Sequence, residues 1–128
     1  MTLTQRVAIV DDEPSVRSGL SNLLQSDGYA TLTFASAEAF LNDIPARNDT
    51  ALVIVDIKLK GMSGAALFEA LQQSPTPPPV IFISGHDEET WPRYAGHAGA
   101  VAFLRKPIDI DILLEHIQRV LTPGEDKP

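Results

Sequence analysis

Apolar and polar positions alternate along this chain in two rhythms. Short apolar runs occupy residues 7–10, 30–34, 52–55, 80–83 and 101–104, each of strand length and most rich in β-branched side chains. Four of the runs are almost unbroken in apolar character, which predicts strands covered by helices on both faces. The second, Ala30-Thr31-Leu32-Thr33-Phe34, alternates instead and is expected at a sheet edge. Between the runs the period lengthens to that of a helix. Val16, Leu20, Leu23 and Leu24 share one helical face, which Asp27-Gly28 closes. Ser36 is placed to cap a second helix carrying Ala37, Phe40 and Leu41, with Glu38 in its first turn. Ser63 is placed to cap a third, with Ala66, Leu67, Ala70 and Leu71 on one face. Asp109 can cap the last, striped by Ile110, Leu113, Leu114, Ile117, Val120 and Leu121. Between Asp87 and Ala98 a short or irregular helix is expected, because Pro92 and Gly96 both oppose a regular one. The stretch Ser74-Pro75-Thr76-Pro77-Pro78-Pro79 reads as a stiff connection into the fourth strand.

Strand and helix alternating five times predict one α/β unit: a doubly wound, five-stranded parallel sheet with right-handed crossovers and helices on both faces. The 128 residues suit a single domain. Having no cysteine removes disulfides, Cys-ligated zinc and thiol nucleophiles from consideration. A net charge of −7 opposes nonspecific association with nucleic acid or anionic membrane. No apolar run approaches the roughly 20 residues of a membrane span. The start, Met1-Thr2-Leu3-Thr4-Gln5-Arg6, lacks the apolar core of a signal peptide, so a cytoplasmic location is expected.

Open parallel sheets bind ligands beyond the carboxyl ends of their strands. There the first strand runs into Asp11-Asp12-Glu13, the third into Asp56, the fourth into Ser84 and the fifth into Arg105-Lys106-Pro107. Carboxylates gathered at one rim repel one another, so a compensating charge is needed; Lys106 and a divalent cation are the candidates. Oxygen donors favour a hard ion, and Mg²⁺ takes few carboxylates, leaving coordination positions for a phosphate. In such a site an aspartate can attack a phosphoryl group. The metal and Lys106 would neutralise its oxygens, and the Ser84 hydroxyl would donate to one of them.

Four segments carry these residues: Val10-Asp11-Asp12-Glu13, the loop from Val55-Asp56 through Lys58, Lys60 and Gly61 to Gly64, Ile83-Ser84-Gly85-His86, and Phe103-Leu104-Arg105-Lys106-Pro107. In this order, each at a strand end, they resemble the receiver domain of bacterial two-component response regulators, the CheY-like family. The resemblance implies the flavodoxin-like strand order 2-1-3-4-5, with a receiver domain over residues 1–121 and an acidic Pro/Gly tail or linker start over 122–128. It implies that Asp56 accepts a phosphoryl group from a sensor histidine kinase or phosphotransfer protein. Asp12 would bind Mg²⁺ directly and Asp11 largely through water, with Asp56 and the backbone carbonyl of Lys58 completing the set. Lys106 would hold the phosphate, its geometry set by a cis bond to Pro107. Ser84 would move toward the phosphate and Phe103 would turn inward. Glu13 is not expected to touch the ion. Lys58 and His86 stand where the family tunes phosphate lifetime. The family signals through its fourth helix, fifth strand and fifth helix, and a homodimer is expected on phosphorylation. The run Ile83-Ser84-Gly85-His86-Asp87 resembles the FixJ branch, whose receivers usually precede a DNA-binding domain. Control of transcription through a separate output domain is therefore expected, with neither nucleic acid nor membrane bound by this one. Many receivers carry proline four residues after the acceptor, where this chain has Lys60; that alters the loop's stiffness and charge but removes no required group.

Each motif has a plainer reading when taken alone. Asp11-Asp12 suits a solvated helix-capping loop, Ser84-Gly85 a turn, Lys106 the surface and Phe103 the core. His86, His97 and His116 are too scattered for a metal site, and the last two are expected to face solvent. Trp91 and Tyr94 are expected to pack around the irregular helix. The runner-up function is a Mg²⁺-dependent phosphatase of the haloacid dehalogenase type, which also uses an aspartyl nucleophile. It needs a second aspartate two residues on, where Lys58 stands. A flavodoxin would need a Ser/Thr-rich phosphate loop after the first strand, where this chain has acids. The expectation is a signalling switch, catalysing only its own phosphorylation and dephosphorylation.

Overall fold

Residues 6–85 and 99–121 are described by the computed structural model. Five strands alternate with helices along them: β1 Arg6–Val10, α1 Pro14–Ser26, β2 Ala30–Phe34, α2 Ala37–Asn42, α3 Ile44–Asp49, β3 Thr50–Asp56, α4 Gly64–Leu71, β4 Val80–Ser84, β5 Ala100–Arg105 and α5 Ile110–Leu121. The expected helix between Asp87 and Ala98, with Trp91, Tyr94, His86 and His97, lies outside the described residues, as do both chain termini. All pairings are parallel and the strand order is β2-β1-β3-β4-β5, so the alternating run 30–34 does sit at an edge.

Alternate residues of each inner strand feed two separate cores. Ala8 and Val10, Val53 and Val55, and Val80 and Phe82 pack with Phe40 of α2 and Leu67, Phe68 and Leu71 of α4. Val7 and Ile9, Leu52 and Ile54, and Ile81 and Ile83 pack with Leu20 and Leu24 of α1 and Leu113, Ile117 and Leu121 of α5. Burying side chains of this size contributes on the order of 1.5–3 kcal/mol each, which anchors the inner strands. β5, also an edge, is only half-buried along Ala100–Leu104, against the expectation of full cover.

The capping signals act where the sequence places them. Ser36, Ser63 and Asp109 accept from the amides of Ala39, Ala66 and Ile112 respectively. α1 ends as the amides of Gly28 and Tyr29 turn back to Gln25 and Leu24. Two helical faces differ from expectation. Leu23 is 46% exposed. On α4 the inward face is Gly64, Leu67, Phe68 and Leu71, while Ala66 is exposed and Ala70 half-buried. The larger Phe68 rotates the face by one position, since a phenyl ring gains more from burial than two alanines. α3 was not foreseen: Asp43 ends α2 and caps a new helix through the amide of Ala46, with Pro45 in its first turn. His116 is half-buried, not solvent-facing.

Candidate functional site

The parallel register brings the strand ends level. Val10 pairs with Val55, Asp56 with Ile83, and Ser84 with Arg105, so the next residue of each strand reaches the same rim. Backbone bonds extend the alignment past the strands, from the Ile57 amide to the Ile83 carbonyl (2.9 Å) and from the Lys106 amide to the Ser84 carbonyl (2.7 Å). An open pocket of about 380 Å³ results, lined by Asp12, Glu13, Asp56, Lys58, Ser84, Gly85 and Lys106. Asp11, Asp56 and Ser84 are buried at 0%, 6% and 1% exposure. Polar groups this deep are retained only against a partner or a function.

Lys106 Nζ sits among three carboxylates: Asp56 Oδ2 at 2.7 Å, Glu13 Oε1 at 2.9 Å and Asp11 Oδ2 at 3.1 Å. Burial works to lower the Lys106 ammonium, but hydrogen bonds to Asp56, Glu13 and Asp11 outweigh it and hold the group well above the usual lysine range. Burial pushes the Asp11 carboxyl up, against the Glu13 amide and Lys106, which draw it down. Asp11 Oδ1 accepts from the Glu13 amide at 2.9 Å. Asp11 Oδ2 is buried without an aligned hydrogen-bond donor, although Nζ lies within ion-pair distance. One oxygen from each of Asp11, Glu13 and Asp56 lies within 4.8 Å of the other two. Asp12 lines the same pocket without joining that trio, and its Oδ2 accepts from the Lys60 amide at 3.3 Å. The donor set is all oxygen and includes an orphaned buried carboxylate oxygen, so it suits a hard divalent cation.

Beside the pocket, Phe103 is half-buried and stacks on Phe82, with ring centroids 5.1 Å apart and planes 11° apart. Phe82 in turn meets Phe68 edge-on at 5.4 Å. The Lys106–Pro107 peptide bond is cis. Of the residues singled out in the sequence, Asp12, Asp56, Lys58, Ser84 and Lys106 line the pocket and Asp11 reaches it through Lys106; Phe103 and Pro107 do not line it, and His86 lies outside the described residues. Sequence reasoning missed two supports. The Arg17 guanidinium donates to the Asp11 carbonyl at 2.6 Å, and Glu38 accepts from the Met62 amide at 3.0 Å. Glu38 had a signal, its place in a capped first turn, but nothing local names a donor 24 residues away.

DctR of Rhodobacter capsulatus, a C4-dicarboxylate transport transcriptional regulatory protein, is 40% identical over 117 residues, covering 87% of this chain and 59% of DctR. FixJ of Bradyrhizobium diazoefficiens, a transcriptional regulatory protein, is 30% identical over 125 residues, covering 98% of this chain and 60% of FixJ. The chain thus spans about three fifths of the length of these relatives. Among solved structures, the FixJ-N crystal structure superposes with a TM-score of 0.79 at 34% identity, covering 93% of this chain and 94% of that one. A response regulator receiver protein from Pseudomonas putida gives a TM-score of 0.83 at 27% identity, covering 93% and 99%. Residues 7–118 match the family described as the response regulator receiver domain, and the chain belongs to that family.

Proposed function

We propose that this chain is a phosphorylation-switched signalling domain in which Asp56 takes a phosphoryl group from the phosphohistidine of a sensor kinase or phosphotransfer protein. The observation that carries the reading is Asp56 itself: a nearly buried carboxylate at the floor of an open pocket, 2.7 Å from an ammonium and flanked by further carboxylates. A carboxylate oxygen of Asp56 forms the new P–O bond as the P–N bond of the donor breaks, and the leaving electron pair returns to the imidazole nitrogen. Lys106 offers its ammonium to the incoming phosphoryl oxygens, and the Ser84 hydroxyl is near enough along the rim to serve as a further donor. Asp11, Asp12, Asp56 and the Lys58 carbonyl would hold Mg²⁺. When bound, it would supply charge neutralisation for the transferring group. Lys58, two residues after Asp56, and His86, two residues after Ser84, are the positions expected to tune how fast water attacks the acyl phosphate.

Lys106 and Ser84 are joined by a backbone hydrogen bond, so a phosphoryl group that draws one moves the other. The Phe103–Phe82–Phe68 contacts join β5 through β4 to α4, a packed chain through which a change at β5 would be felt; the helix expected between Asp87 and Ala98, part of the face through which the family signals, lies outside the described residues. DctR and FixJ are transcriptional regulators longer than this chain, which supports a role in transcription through a segment outside it, with homodimerisation on phosphorylation as the readout. Incubation with acetyl phosphate and Mg²⁺ tests the reading: a phosphoryl adduct on the parent and none on Asp56→Asn is the expected result.

A further inference from the structure

The loop that follows Asp56 is held at alternate amides. Lys58 N donates to Asp56 Oδ1 at 2.9 Å, Lys60 N to Asp12 Oδ2 at 3.3 Å, Met62 N to Glu38 Oε2 at 3.0 Å and Gly64 N to the Ile57 carbonyl at 2.9 Å. Three of these four acceptors are therefore carboxylates, and two of the three belong to Asp12 and Asp56, which would take new partners in the proposed reaction. Glu38 is the exception, since it lines no part of the pocket and belongs to α2. The loop is shaped around it. Gly61 turns at φ +76°, and a Cβ there would lie 2.6 Å from Glu38 Oε2. The Met62 amide and Glu38's own amide hold this carboxyl below the usual carboxylate range.

We infer that Glu38 is a positioning residue for the acceptor loop: it keeps residues 58–63 in place while Asp12 releases the Lys60 amide, and so presets the Lys58 carbonyl for metal binding. The inference rests on the proposed Mg²⁺-dependent function and adds to it a fixed point outside the pocket. A capped first turn would otherwise favour an acid at this position through the helix dipole alone, and that role would leave the acceptor loop unaffected.

Calorimetric Mg²⁺ titration of the unphosphorylated parent, Glu38→Gln and Glu38→Ala tests it, together with the Met62 amide resonance and melting in Mg²⁺-free buffer. Glu38→Ala is expected to weaken Mg²⁺ binding by about threefold to tenfold, below the loss typical of groups that orient a metal ligand because this bond is solvent-exposed. Glu38→Gln, which keeps an acceptor oxygen, falls between. Metal-free melting and the phosphorylation rate at saturating Mg²⁺ stay at parent values, while the Met62 amide shifts. Equal Mg²⁺ affinity in all three proteins overturns the inference and leaves the phosphoacceptor reading intact. Loss of affinity matched by lower metal-free melting in Glu38→Ala, with Glu38→Gln like the parent in both, shows simple scaffolding and also overturns it. A parent that binds no Mg²⁺ overturns the reading and the inference together.

Discussion

A methyl group added at Gly64 meets backbone, and the cost can be worked out. The new Cβ would lie 2.2 Å from the Asp56 carbonyl oxygen, and 2.9 Å from both the Asp56 carbonyl carbon and Ile57 Cα. Carbon–oxygen contacts normally stay at about 3.3 Å or more, so the start of α4 and the end of β3 must part by about 1 Å. None of the three atoms is the free end of a side chain, and the 2.9 Å bond from Gly64 N to the Ile57 carbonyl spans the same gap. Losing that bond costs about 1 kcal/mol, and forced separation of packed elements adds roughly 1–3 kcal/mol. Gly64→Ala should therefore lower stability by about 2–4 kcal/mol in urea denaturation. Gly19→Ala is the control. It lies inside α1 with nothing within 4 Å of a new Cβ, and should raise stability by about 0.5–1 kcal/mol through helix propensity. A Gly64→Ala protein within about 0.5 kcal/mol of the parent, or a Gly19→Ala protein equally destabilised, would refute the close approach on which the acceptor strand's position depends.

Two further predictions concern the site charges, and a third is the Mg²⁺ titration of Glu38 variants described above. Asp11 has its carboxyl raised by burial, so above the usual carboxylate range the unfolded chain has released a proton that the folded protein still holds. Stability then falls as pH rises through that window. Asp11→Asn should flatten the fall and stabilise the metal-free protein at neutral pH by about 1–2 kcal/mol, read from urea curves across pH; an unchanged slope refutes the buried-charge cost. Lys106→Met leaves Asp11, Glu13 and Asp56 without their shared ammonium. Metal-free stability should drop by about 2–3 kcal/mol, less than for a fully buried pair because the rim is open, and added Mg²⁺ should restore part of it. Parent-like stability without metal would contradict the ion-pair network.

What the sequence made legible was whatever periodicity and strand ends encode. The five apolar runs, the edge position of residues 30–34, and the caps at Ser36, Ser63 and Asp109 follow from local chemistry that packing reinforces. So does the gathering of Asp11, Asp56, Ser84 and Lys106, because each directly continues or ends a strand of the sheet. The misreadings have physical sources. On α4, two alanines and a leucine pair suggested one face, yet burial of Phe68 decides another. Asp43 and Pro45 together restart a helix, a combination visible only once both are read as one signal. The contacts of Glu13 with Lys106 and of Glu38 with Met62 span 93 and 24 residues and depend on which way a long side chain turns, which no local pattern encodes.

The most direct test of the central claim is intact-mass measurement after acetyl phosphate treatment, with and without Mg²⁺, on the parent and on Asp56→Asn. The account predicts one phosphoryl group on the parent, dependent on Mg²⁺ and mapped to Asp56, and none on the variant. Equal labelling of Asp56→Asn, or labelling of the parent indifferent to Mg²⁺, would contradict it.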